Sequence, residues 1–217
     1  MIPVSIAAEP ADFDQKVRQP GLSAIDELVG RAPRLKRRGP RRQKVADAED
    51  KIPADKFPPF WRKALDDLLV RYERRCAYLA MYFEPATGNP TVDHALPKSY
   101  AWNKVYEWSN YRLCAAIINS KKGELLSFVD PFHVKPGWFE LDLATFRVER
   151  GARAPATQLA KIDATLPLLN QTDCCQQREE YVTEYWKAGI DLAYLERRAP
   201  FIASELRRQG QLLRGDV

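Results

Sequence analysis

Between Pro58 and Gly123 the hydrophobic period of the chain changes twice, and this limits the folds open to it. Trp61, Leu65, Leu68, Leu69 and Tyr72 recur at helical spacing. They follow Pro58-Pro59, where a missing N–H costs little at a helix start. Arg62, Asp66, Arg71 and Glu73 fall elsewhere around that helix, so the apolar stripe should face a core. From Cys76 the pattern turns strand-like through "CAYLAMYFEPATGNPTVDHAL", and Thr87-Gly88-Asn89-Pro90 marks a hairpin turn. "SNYRLCAAIINSKKG" then reads as one helix, capped by Ser109, faced by Leu113, Ala116 and Ile117, and stopped by Gly123. "GWFELDLATFRVER" alternates as a second hairpin. Beyond Pro155 the chain becomes helical: Cys174, Arg178, Tyr181, Val182, Tyr185 and Trp186 share a face, and two shorter helices follow, the second from Pro200. The mixture predicts an α+β fold.

Upstream of Pro58 the signals are weaker. Residues 1–21 contain proline and lack a period, which predicts an extended segment over the body; "LSAIDELV" from Leu22 reads as a short helix. "RAPRLKRRGPRRQK", Arg31 to Lys44, carries eight Lys/Arg and no acid. Its Pro33, Gly39 and Pro40 argue against a regular helix. Two readings stay open: an arm that contacts phosphates through Arg37, Arg38, Arg41 and Arg42, or a solvated connector. The expected organisation is an extended basic segment over 1–57, a core with its supporting helix and following hairpin over 58–150, and a helical extension packed on it over 151–217.

With 217 residues and 45% hydrophobic content, the chain can bury one substantial core. No apolar run approaches the ~18 residues that suggest a membrane helix. The start, with Glu9, Asp12 and Asp14, does not read as a secretory signal, so the cytoplasm is the expected compartment. The four cysteines, Cys76, Cys114, Cys174 and Cys175, form no CxxC pair; a reduced state is expected, and no structural zinc. The net charge of +5 suits a polyanionic partner.

One of only two histidines lies in "TVDHALPKSYAWNKVYEWSNYRLCAAIINSKKG", from Thr91 to Gly123. Asp93-His94 is followed after sixteen residues by Asn110 and after nine more by Asn119, with Lys121 and Lys122 behind. This order and spacing resemble the HNH endonucleases, the ββα-metal nucleases, in which a strand ends in Asp-His and a helix carries Asn and Lys. The resemblance covers 33 residues; the flanks would be an elaboration of that core.

It implies hydrolysis of phosphodiester bonds in DNA, double-stranded by expectation. His94 would activate water, since imidazole titrates near neutrality. Asp93 and Asn119, as hard oxygen donors, would hold one Mg²⁺ or Mn²⁺ ion. Asn110 would brace the loop near the base. Lys98, Arg112, Lys121 and Lys122 would contact nucleic acid around the motif. Compact HNH proteins with such extensions also resemble effectors of bacterial anti-phage systems, of the Septu or Zorya kind, which would add defence proteins as partners. The competing class is a non-catalytic module, binding nucleic acid or a partner protein, on the same scaffold.

Two conditions follow. Successive strand residues face opposite sides, so Asp93 and His94 can share a site only if the strand ends or bends there; Pro97 is consistent with an early stop. Many HNH proteins clamp a zinc with two CxxC pairs. Here Leu79, Ala115 and Ile118 stand where cysteines would be, so Leu79 and Ile118 should pack as apolar residues. A ββα unit of ~50 residues without metal is too small to stand alone, so the flanking helices should buttress it.

Overall fold

The computed structural model describes residues 1–36 and 38–216. Among these, seven α-helices surround two small antiparallel two-stranded sheets, an α+β arrangement. No helix of the described residues is long and apolar enough to cross a membrane.

The first sheet pairs β1, Pro90–His94, with β2, Tyr111–Ala115, in a register that sets Val92 against Leu113, Asp93 against Arg112 and His94 against Tyr111. Helix α3, Ala116–Lys122, follows β2 without a loop and ends at Gly123, whose φ of 49° leaves the helical region. Two expectations change here. Tyr111–Ala115 is a strand rather than the start of a helix: its run of aromatic, apolar and sulfur side chains is buried on both faces, and the pairing with β1 outweighs the helical spacing. The stretch from Cys76 to Phe83 is not a hairpin arm. It forms a tight turn with only an isolated bridge, Arg75 to Tyr82.

Cys76 holds that turn together. The Cys76 Sγ accepts the amides of Leu79, at 3.5 Å, and Ala115, at 3.4 Å. Ala80 adopts a φ of 54°, a left-handed conformation that ordinarily falls to glycine. Leu79 and Ile118 are buried in the core, as expected of apolar replacements.

The sixteen-residue connection from β1 to β2 is closed at its neck by Asn110. Its Oδ1 accepts from the Leu96 amide at 2.7 Å, and its Nδ2 donates to the carbonyls of Leu96 and Lys104. Asn110 thus ties Leu96 and Lys104 to the start of β2.

The flanks belong to the same buried cluster as the sheet. The N-terminal segment is helical earlier than expected: a π-helical turn, Asp14–Arg18, runs into α1, Gln19–Leu28. Packing decides this, because Phe13 and Val17 are fully buried and Phe13 meets the rings of Trp108 and Tyr111 edge-on. Burial of a side chain such as Phe13 stabilises by roughly 2 kcal/mol, enough to fix a turn that local propensity leaves undecided. The Pro58-Pro59 helix begins as a 3₁₀ turn, Phe60–Ala64, and continues as α2, Leu65–Arg71.

The second hairpin forms as expected, from β3, Phe139–Leu141, and β4, Val148–Arg150. Helices α4 (Leu159–Leu169), α5 (Thr172–Trp186), α6 (Leu192–Arg198) and α7 (Pro200–Arg208) follow. On α5, Cys174, Arg178, Val182 and Tyr185 are buried, but Trp186 is exposed. Polar contacts tie this C-terminal region to the rest of the chain: the Tyr82 amide donates to the Arg198 carbonyl, the Leu141 amide to Glu205, and Gln171 Nε2 to the Ile117 carbonyl of α3. The buttress required by so small a β-β-α unit is therefore present.

Candidate active site

Strand β1 ends at His94 and the chain bends at once, so Asp93 and His94 both line one cleft of about 250 Å³. Asn119 of α3 lines the same cleft, together with Trp61, Val92, Pro97, Lys98, Gly123 and Glu124. Asp93 and Asn119 are 26 positions apart in sequence; the antiparallel pairing and the direct passage from β2 into α3 bring them together.

His94 is fixed on every side. Its Nε2 lies 2.9 Å from the Val105 carbonyl, so Nε2 carries the proton and donates, which leaves the Nδ1 lone pair as the basic one. Trp61 and Tyr111 meet the imidazole edge-on, with centroids at 4.9 and 5.3 Å. Burial pushes its pKa down to about 4, against the hydrogen bond to Val105 and with Lys98 and Lys122 adding to the fall. The ring is therefore neutral at pH 7, the state a proton acceptor needs.

Asp93 is buried, with only 2% of its surface exposed. Its Oδ1 accepts from Lys122 Nζ at 2.9 Å, and its Oδ2 from the Tyr78 hydroxyl at 2.6 Å. Burial pushes the carboxyl pKa up, opposed by Lys122 and Tyr78. Asn119 is turned by its amide: Nδ2 donates to Thr91 Oγ1 at 3.0 Å and lies 3.4 Å from the Val92 carbonyl. Its Oδ1 is left as the uncommitted acceptor.

A carboxylate and an amide oxygen are hard donors of the kind a divalent cation takes, and both Asp93 oxygens also accept internal hydrogen bonds. Among the described residues no group of three or more His, Cys, Asp and Glu gathers as a metal site. Most of the coordination shell of such an ion would thus come from water and phosphate. Asp93 and Asn119 are the residues that would hold it.

The residues expected to contact nucleic acid divide. Lys98 is at the cleft, its Nζ 4.6 Å from the Trp61 ring centre, and burial lowers its pKa. Lys121 is exposed on α3. Lys122 and Arg112 need correction. The Lys122 side chain is wholly enclosed, bonded to Asp93 and to the His94 carbonyl, so it faces inward and not towards a phosphate. Arg112 is 4% exposed; it clamps Asp130 at 2.7 and 2.5 Å and lies over the Phe132 ring. Neighbouring positions on one short motif need not share a surface, because the helix turns Lys121 out and Lys122 in.

Several described residues of the basic segment are tied to α1. Arg31 and Arg34 pair with Asp26, and Arg42 NH1 reaches Glu27 at 2.6 Å. Asp26 and Glu27 are buried acids of α1. Arg38 and Arg41 lie between these anchors and are exposed; Arg37 falls outside the described residues.

Sequence reading missed Tyr78, the Val105 carbonyl, Glu124 and the second role of Trp61. Trp61 fits the core stripe of its helix, and nothing in that spacing signals that its ring abuts His94. Tyr78 sits two residues after Cys76, in a tight turn whose sequence carries no pattern that points to the cleft. No model of a known protein family matches the chain, and no curated protein matches its sequence.

Proposed function

We propose that this protein is a metal-dependent nuclease of the HNH, ββα-metal kind, which hydrolyses phosphodiester bonds in DNA. The observation that carries the reading is His94: a neutral imidazole at the edge of a cleft, its tautomer set by the Val105 carbonyl, beside Asp93 and Asn119. A divalent ion held by Asp93 and Asn119 would polarise the phosphate and stabilise the leaving oxygen. His94 Nδ1 takes the proton of the attacking water. Tyr111 and Trp61 hold the ring, and Asn110 fixes the loop that supplies Val105. Lys98, over Trp61, meets the phosphate charge at the cleft mouth.

One observation favours the alternative, a non-catalytic binding module: both oxygens of Asp93 are engaged by internal donors. Incubating supercoiled plasmid with the pure protein and Mg²⁺ or Mn²⁺ separates the two. Nicked or linear product that vanishes with EDTA and with His94→Ala supports the nuclease. Plasmid binding with no cleavage under any metal supports the module.

A further inference from the structure

The charges of the cleft cancel. Asp93, Lys98 and Glu124 line it, and Lys122 stands behind Asp93. Lys122 is held in place from three sides: Asp93 Oδ1 at 2.9 Å, the His94 carbonyl at 2.8 Å and the Phe128 ring, whose centre lies 4.7 Å from Nζ. The carboxylate proposed to hold a cation thus already has its counter-charge. A divalent ion entering alone would place two further positive charges close to two lysines. The other acid of the cleft, Glu124, lies near Lys98 and offsets that charge, not the ion's. A phosphodiester brings the missing negative charge.

We propose that Lys122 is a resident counter-ion of Asp93 that couples the two ligands of the cleft: it takes Mg²⁺ or Mn²⁺ tightly only with a DNA phosphate beside the ion. This rests on the reading of the cleft as a metal-dependent nuclease site. Lys122 acts through Asp93 and is a positioning residue. The coupling is reciprocal, so the ion raises DNA affinity by the factor by which DNA raises ion affinity.

The test measures free Mn²⁺ by electron paramagnetic resonance, with and without excess of a short DNA duplex. All proteins carry His94→Ala, which keeps the duplex intact. The duplex should tighten Mn²⁺ binding at least ~10-fold. Adding Lys122→Met, an apolar side chain of similar length, should tighten binding of Mn²⁺ alone by ~10-fold or more and weaken the dependence on the duplex. Equal Mn²⁺ affinity with and without duplex overturns the coupling, and this comparison needs no change at Lys122. A folded Lys122→Met protein that binds Mn²⁺ no more tightly overturns the counter-ion role. Absence of Mn²⁺ binding under both conditions instead removes the nuclease reading, and the inference with it.

Discussion

Replacing His94 by Phe should remove an acid-dependent loss of stability from the metal-free protein. The imidazole is buried and neutral in the fold down to about pH 4, whereas in the unfolded chain it protonates near 6.5. Between those values the unfolded state binds the additional proton. Acid therefore favours unfolding: the stability tied to neutral His94 is fully present above 6.5 and is lost as pH falls towards 4. The full effect is about 3 kcal/mol, and about 2 kcal/mol of it is lost by pH 5. Phe is the appropriate replacement because it keeps an aromatic ring between Trp61 and Tyr111. The Val105 carbonyl also stays satisfied, since the Tyr111 hydroxyl donates to it at 2.8 Å. Urea unfolding in EDTA, followed by fluorescence at several values between pH 7.5 and 4.5, gives both stability curves. Their difference isolates His94 from other groups that titrate in that range. A difference that stays flat with pH would refute the buried, neutral imidazole.

Gly21→Ala should destabilise by about 2 kcal/mol, read as a fall of about 4–8 °C in Tm, because a methyl group there would lie 2.3 Å from the Tyr106 ring inside the packed face of α1. Asp130→Asn should cost about 3 kcal/mol in chemical unfolding at pH 7, since it leaves the buried Arg112 guanidinium without its counter-charge. Burial raises the Asp130 pKa but the Arg112 hydrogen bonds outweigh it and hold it below 3.8, so in wild type this contribution persists above that pH and is lost only as pH falls further. In the basic segment, Lys36→Ala with Arg41→Ala spares the anchors on Asp26 and Glu27. If both residues contact phosphates, the slope of log K against log salt for duplex binding becomes shallower by about 1.8, and an unchanged slope removes the segment from the interface.

Much of the chain was legible in sequence where a local pattern coincides with a local structure. The Pro58-Pro59 start, the "GWFELDLATFRVER" hairpin, the stop at Gly123 and the helix from Pro200 all rest on turn chemistry and periodicity within a few residues. The spacing of Asp93, His94, Asn110 and Asn119 likewise anticipated that a strand end, a braced loop and a helix would meet, because each role depends on chain geometry between them. Tertiary packing decided the rest. Tyr111–Ala115 carries a helical pattern but pairs with β1, since a strand buried on both faces lacks the alternation that would announce it. Phe13 orders a segment without a period because its partners, Trp108 and Tyr111, lie almost a hundred residues away. At the cleft, the sequence named the side chains and not their states. Whether Lys122 meets solvent or Asp93, and which nitrogen of His94 carries a proton, depends on Tyr78, Val105, Phe128 and Trp61. Protonation and charge pairing are set by burial and by neighbours in space, and a linear pattern carries neither.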